Sequence, residues 1–134
     1  IIYLFTIFVI MAELILKKTH NTPKVFLSRN EGYCEISGPS YANHISDIYN
    51  AVLEWVEKEI PESMNKLNFI FNFDLLNSVS YKFIIEIIMR LNEFAKTGKS
   101  IQIQWHYSEN DDDMLSAGKD LSDLFELPFQ LLSN

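Results

Sequence analysis

Ser78 and Ser80 stand where a predicted strand passes into a predicted helix. The strand ends near Phe73, so we expect both hydroxyls at the carboxyl edge of a sheet, where open α/β sheets normally bind ligands. Free N–H groups and the helix dipole favour an added phosphate at such a helix start, and Lys82 lies one turn further on to pair with it. On spacing alone, a plain helix N-cap is the simpler interpretation of Ser78, and Asn77 also offers a side-chain oxygen for capping.

A second group with possible chemistry is the acidic run Asp111, Asp112 and Asp113, which follows Glu109 and the strand residue His106. Carboxylate oxygens suit a hard cation such as Mg²⁺, so a small metal-binding protein or enzyme is one hypothesis. The spacing of an EF-hand is absent, however, and adjacent side chains diverge once a helix begins. The simpler interpretation is that these acids complement a helix dipole and face a partner protein.

The cysteine, the histidines and the glycines give no pattern of a catalytic site, and we expect no catalytic residue, no metal and no cofactor. Cys34 is the single cysteine, which excludes an internal disulfide and a Cys₂His₂ zinc site, and its alternating neighbours predict a buried strand residue. The histidines form no HxxxH or HExxH pair, and the glycines form no phosphate-binding loop.

Length and charge narrow the class of protein. The chain has 134 residues and a net charge of −7, which fits one domain and argues against nucleic acid or an anionic membrane as a partner. The uncharged residues 1–10 would span only about 15 Å as a helix, too little to cross a bilayer, and they lack a basic n-region. We expect residues 1–10 to be an apolar extension outside the folded unit, residues 11–134 to form one domain, and the protein to be cytoplasmic.

The hydrophobic pattern predicts the elements that position these residues. Strands are expected at 14–16, 24–28, 33–37, 67–73 and 100–107, and the Gly38-Pro39-Ser40 stretch is expected to break the chain. Apolar residues at helical spacing predict a helix capped by Asn43 and ended by Pro61, a second that ends at Gly98, and a third that starts near 111–113.

The predicted order β-β-β-α-β-α-β-α indicates an α/β fold. Strand–helix–strand units build parallel pairs, whereas the initial hairpin is antiparallel, so we expect a single mixed sheet covered by about three amphipathic helices. The predicted core residues share the apolar faces of these elements: Ile48, Val52, Phe69, Phe71, Ile84, Ile88, Trp105, Leu121 and Leu124.

Several segments in this order resemble the SiaC-type regulatory phosphoproteins, a family of small bacterial partner-switch proteins. These segments are ISGPSYAN at 36–43, LNSVSYK at 76–82, Trp105 with Tyr107, and DDDMLSAGKD at 111–120. The family's junction pattern is typically Asn-Thr-Ser-Ser-Ser-Lys, so Ser78 replaces the threonine and Val79 and Tyr81 replace two serines.

The resemblance implies a STAS-like fold and a non-enzymatic signalling function. It implies phosphorylation of Ser78, with Ser80 as the alternative, in surroundings that include Asn77 and Lys82. The implied partners are a histidine-kinase-like serine/threonine kinase, a metal-dependent serine/threonine phosphatase, and an effector such as a diguanylate cyclase that promotes biofilm formation. The metal-binding or enzymatic use of residues 111–113 stays the alternative.

Overall fold

The computed structural model describes residues 12–62 and 66–134, and these form one mixed sheet with helices. The sheet has six strands in the order β1 to β6. β1–β2 and β2–β3 are antiparallel, and each later pair is parallel. The strands are Glu13–Leu16, Lys24–Ser28, Tyr33–Ser40, Lys66–Leu76, Ser100–Tyr107 and Phe129–Ser133.

A helix connects each parallel pair of strands. These helices are α1 (Ile45–Glu59), α2 (Ser78–Lys96) and α3 (Asp112–Leu124). Because the strands follow chain order across the sheet and such crossovers are right-handed, the helices share one face of the sheet. The predicted α/β architecture with a single mixed sheet, an N-terminal hairpin and about three helices is confirmed, since residues 12–62 and 66–134 form three helices.

Side chains that alternate along the strands divide the sheet into two faces. The helix-covered face holds the core, in which Tyr49, Trp55 and Trp105 are among the largest fully buried side chains. The opposite face carries partly exposed polar side chains such as Glu35, Asn72 and Gln104. Because β3, β4 and β5 are parallel, their carboxyl ends meet at one edge of the sheet. The starts of α2 and α3 lie at that edge.

Most of the predicted core is confirmed, with one residue wrong. The fully buried members are Val52, Phe69, Phe71, Ile84, Ile88, Trp105 and Leu121. Ile48 is only partly buried, although it packs against the core. Leu124 is 63% exposed because α3 ends at this residue and the chain leaves the helix in an extended conformation at Phe125.

The ends of several elements also differ from the sequence prediction. β3 continues through the expected break at Gly38-Pro39-Ser40, because a register shift against β4 absorbs the irregularity and β2 pairs with β3 only as far as Ser37. Because Pro39 lies beyond the pairing with β2, its missing N–H breaks no hydrogen bond between these two strands.

Two other differences concern α1 and the end of the chain. His44, not Asn43, precedes α1, and no side chain caps the helix. β6 was not predicted, because the short FQLLS segment lacks alternation. The expectation for residues 1–10 falls outside the described residues and stays a prediction, as does the domain boundary at residue 11.

Candidate functional site

The first turn of α2 presents Ser78 to solvent. Asn77 is the N-cap, and its side-chain oxygen accepts a hydrogen bond of 2.8 Å from the backbone N–H of Ser80. Ser78 is thus the first helical residue; it is exposed, and its hydroxyl has no hydrogen-bond partner among residues 12–62 and 66–134. The interpretation of Ser78 as the N-cap is therefore wrong; because Asn77 supplies the cap, the hydroxyl of Ser78 is available for chemistry.

Ser80 has the opposite environment, because its side chain is fully buried. Its Oγ donates to the carbonyl oxygen of Ser40 at 2.9 Å, and the Ser40 Oγ donates to it at 2.8 Å. The Ser40 hydroxyl also lies 2.7 Å from the hydroxyl of Tyr49, whose pKa is raised by burial. These buried hydroxyls join β3, α1 and α2, and the Ser80 hydroxyl has no exposure to solvent.

A groove of about 800 Å³ runs between the start of α2 and the first turns of α3. Ser78 and Tyr81 line it on the α2 side, and Asp113 and Asp120 line it on the α3 side. The Tyr81 hydroxyl donates to the carbonyl oxygen of Ala117 at 3.4 Å across the groove. Partial burial, with a smaller contribution from Asp120, raises the pKa of Tyr81. The phosphorylation candidate therefore lies in a groove whose facing wall is acidic.

The acidic run at 111–113 forms the start of α3. The Asp111 carboxylate is the N-cap and accepts from the backbone N–H of Met114 at 3.0 Å, whereas Asp112 and Asp113 are exposed. The Trp105 indole N–H donates to the carbonyl oxygen of Met114 at 2.9 Å and ties this turn to β5. The expected complementarity between these acids and the helix dipole is thus found.

The structure does not bring His106 to these carboxylates. His106 neighbours the inward-facing Trp105 on β5 and lies on the opposite face of the sheet, where its ring nitrogens approach Asn134 at 3.2 Å and Gln104 at 3.4 Å. Within residues 12–62 and 66–134, no group of three or more His, Cys, Asp or Glu side chains could hold a metal ion. The geometry therefore gives no support to the metal-binding alternative.

Two further predicted residues lie where expected. Lys82 is exposed on the second turn of α2, and it forms no ion pair with any described residue. Cys34 is fully buried in β3, and burial raises the pKa of its thiol to about 12, so the thiol stays protonated and unreactive.

Sequence reasoning missed several residues that build this edge. Ser40 and Tyr49 belong to the buried hydrogen bonds that attach the start of α2 to the core. Asp74 and Asp120 add negative charge to the groove. Tyr49 shares the helical spacing of Val52, which predicts burial, but nothing in that spacing predicts a hydrogen bond to a strand end. Asp74 directly follows the predicted strand at 67–73, and that position was the available signal.

Comparison with solved structures shows the same fold. SiaC of Pseudomonas aeruginosa aligns with a TM-score of 0.83 and 21% identity, covering 91% of this chain and 98% of that one. SiaC in a crystal structure with the diguanylate cyclase SiaD, which it activates, aligns with a TM-score of 0.84 and 21% identity, covering 90% and 99%. None of the described helices is long and apolar enough to cross a membrane.

Sequence comparison extends over almost the same region. An uncharacterized protein of Pseudomonas aeruginosa strain UCBPP-PA14 is 22% identical over 121 residues, which are 90% of this chain and 96% of that protein. A family model described as the SiaC family regulatory phosphoprotein matches residues 16–134. The description of this family is regulatory, and in the complex with SiaD it is SiaD that is the cyclase and SiaC that is its activator. With a match over nearly its whole length, this chain belongs to the SiaC family of regulatory phosphoproteins.

Proposed function

We propose that this protein is a cytoplasmic partner switch that binds and activates an effector such as a diguanylate cyclase while Ser78 is unmodified. A histidine-kinase-like serine/threonine kinase phosphorylates Ser78, which releases the effector. A metal-dependent serine/threonine phosphatase removes the phosphate and restores binding. The protein takes part in cyclic di-GMP signalling through these partners and catalyses no reaction itself.

The observation that carries this proposal is the contrast in accessibility between Ser78 and Ser80. Ser78 is exposed in the first turn of α2, and its hydroxyl forms no hydrogen bond with any described residue. Ser80 is fully buried and holds the helix to β3. Of the two serines at this junction, a kinase can therefore reach only the hydroxyl of Ser78. Phosphorylation of Ser78 leaves the buried hydrogen bonds of Ser80 intact.

The charge of a phosphate explains why its addition would change partners. Phosphorylation adds about −1.5 to −2 charge at neutral pH to a chain that already carries −7. The new charge faces Asp113 and Asp120 across the groove. Repulsion of an acidic partner surface and occupation of the groove both weaken an interface that includes this edge.

The start of α2 also supplies stabilising contacts for the phosphate. The first turn of α2 contains no acidic residue, so the positive end of its dipole is not neutralised by a fixed carboxylate. Lys82 lies one turn away, exposed, and is free of ion pairs to the described residues. We expect Lys82→Ala to reduce the local order of the phosphorylated form and to leave the unmodified form unchanged.

Partner exchange provides the test. The full chain is incubated with its cognate kinase and ATP, and its binding to the cognate diguanylate cyclase is measured before and after. We expect the wild-type protein to lose binding, and Ser78→Ala to stay bound. Ser78→Asp should release the effector only in part, because a carboxylate carries less charge and fewer acceptors than a phosphate.

Ser116→Ala is the matched control, because Ser116 is an exposed serine that lines the same groove. This variant should be phosphorylated and released like the wild-type protein. Kinase treatment that releases Ser78→Ala as fully as wild type would overturn the proposed role of Ser78.

A further inference from the structure

A second cleft lies beside the groove, and its charge has the opposite sign. It encloses about 460 Å³ between the hairpin of β1 and β2 and the ends of β3 and β4. Lys17, Lys18 and Lys24 line it, and Asp74 is the single acidic lining residue. Three of the chain's 11 basic residues thus meet in one place on a protein of net charge −7. We call this cavity the lysine cleft.

Two of these lysines are free to meet a ligand. Neither Lys17 nor Lys18 forms an ion pair with any residue in 12–62 or 66–134. Lys24 has a carboxylate neighbour, since its Nζ lies 3.4 Å from Glu35, yet its side chain is 51% exposed. The cleft therefore keeps an excess of positive charge.

Gly38 contacts the stem of one of the lysines of the cleft. Its φ of +98° is a conformation that favours glycine, and an added Cβ would lie 2.7 Å from the Cδ atom of Lys18. The aliphatic stem of Lys18 thus lies directly on the backbone of β3. This contact places the stem beside the carboxyl end of β3, while Lys18 as a whole stays exposed.

Asp74 connects the lysine cleft to the groove that contains Ser78. In the β3–β4 register Gly38 pairs with Phe73 and Pro39 pairs with Leu75, so Asp74 is the extra residue of a bulge. Its side chain is exposed and lines both cavities. A phosphate on Ser78 would therefore lie in the cavity adjacent to the lysines.

We propose that the lysine cleft binds an acidic segment of the effector protein. Charge complementarity identifies the occupant, and the apolar side chains of Ile15 and Leu16 beside the lysines indicate that the segment also carries apolar residues. Ile15 is 60% exposed on β1, as a contact residue for such a segment should be. This inference rests on the proposed function, because it names the chemistry of the partner that the switch controls.

Because the two cavities are adjacent, phosphorylation of Ser78 should weaken binding of the acidic segment by electrostatic repulsion. A dianionic phosphate in the neighbouring cavity lowers the positive potential of the lysine cleft and repels an acidic segment that crosses Asp74. Salt screens both effects, with a Debye length of about 8 Å at physiological ionic strength, so they weaken as salt is added.

The test uses the full chain and a short synthetic peptide that alternates glutamate with leucine and glycine. Its control is the same peptide with glutamine in place of glutamate. We expect the acidic peptide to shift the NMR amide resonances of residues 15–18, Lys24 and Ser37, and the glutamine peptide to shift none of them. The double change Lys17→Gln and Lys18→Gln should weaken binding about tenfold, because two exposed ion pairs are lost. Lys119→Gln, an exposed lysine outside both cavities, should not weaken it.

The outcomes separate this inference from the proposed function. Peptide binding in the cleft that weakens after phosphorylation of Ser78 supports it. Absence of binding, shifts elsewhere, or equal weakening by Lys119→Gln would overturn it, even if Ser78 is phosphorylated normally. Inorganic phosphate that produces the same shifts with equal affinity would show a simple anion site and would also overturn it. Binding in the cleft without any phosphorylation of Ser78 would keep the lysine cleft and reject the switch.

Discussion

The starts of α2 and α3 face each other across one groove, but their chemistry is opposite. The first turn of α2 has no acidic residue, and its cap is the neutral amide of Asn77. The first turn of α3 contains Asp112 and Asp113, and its cap is the carboxylate of Asp111. Both helix dipoles point their positive ends to this edge, yet only the start of α3 is compensated by fixed charge.

This difference supports the proposal that the start of α2, and not the start of α3, receives a phosphate. A new dianion at the start of α3 would meet three carboxylates of its own helix start, whereas at the start of α2 it would meet free N–H groups and Lys82, with Asp113 and Asp120 only across the groove. The two starts are also attached differently. Buried hydroxyls tie α2 to β3, and the Trp105 indole ties α3 to β5. The first attachment secures a modified helix, and the second secures the acidic wall that faces it.

Removal of Trp105 should have the largest effect. Trp105→Ala leaves a cavity at a fully buried position and removes the hydrogen bond to Met114, so we expect a loss of about 3–5 kcal/mol in unfolding free energy. Native-state hydrogen exchange should show α3 losing more protection than the first turn of α2. The control Trp105→Phe should retain most of the packing. Equal loss of protection in both helices would contradict the separate attachment of α3.

The buried serine should matter more to stability than the exposed one. Ser80→Ala removes the donor to the Ser40 carbonyl, and we expect a loss of about 1–3 kcal/mol by chemical denaturation. Ser78→Ala, two residues away, should change stability by no more than about 0.5 kcal/mol, since Asn77 and not Ser78 caps the helix. Comparable losses for both variants would show that the buried hydroxyls do not anchor α2.

Removal of the N-cap side chains of α2 and α3 should have a smaller effect on stability than removal of Trp105 or of the Ser80 hydroxyl, and these two variants are the most closely matched pair. Asn77→Ala and Asp111→Ala each remove one side-chain hydrogen bond to a backbone N–H, and each should cost about 0.5–2 kcal/mol in thermal or chemical unfolding. Added salt should reduce the loss for Asp111→Ala but not for Asn77→Ala, because only the aspartate carries a charge. A salt-independent loss at Asp111 would argue against the electrostatic difference between the two helix starts.

The sequence predicted those parts of the fold in which one strong local pattern decides. The apolar stripe of α1 and the alternation in β4 and β5 were recognised because each is long and regular. The break expected at Gly38-Pro39 was wrong because the end of β2, a distant segment, determines whether a proline costs a ladder bond there. Leu124 fits a helical stripe, but only tertiary structure shows that the core no longer extends to it.

The candidate site divides in the same way. The exposed Ser78 at a strand–helix junction follows from neighbouring residues, so the sequence could predict its position. The burial of Ser80 depends on Ser40 and Tyr49, which lie on other elements. The lysine cleft joins residues of β2 and the segment after β1 with the ends of β3 and β4, and no local spacing could show that arrangement.

Phosphopeptide mapping of the full chain after reaction with its cognate kinase and ATP tests whether Ser78 is the residue that is modified. We expect one phosphate per chain, located on Ser78, with none on Ser80 or Ser116. The Ser78→Ala protein should gain no mass in the same reaction. Phosphate on Ser80, or on neither serine of the α2 start, would contradict the proposed role of Ser78.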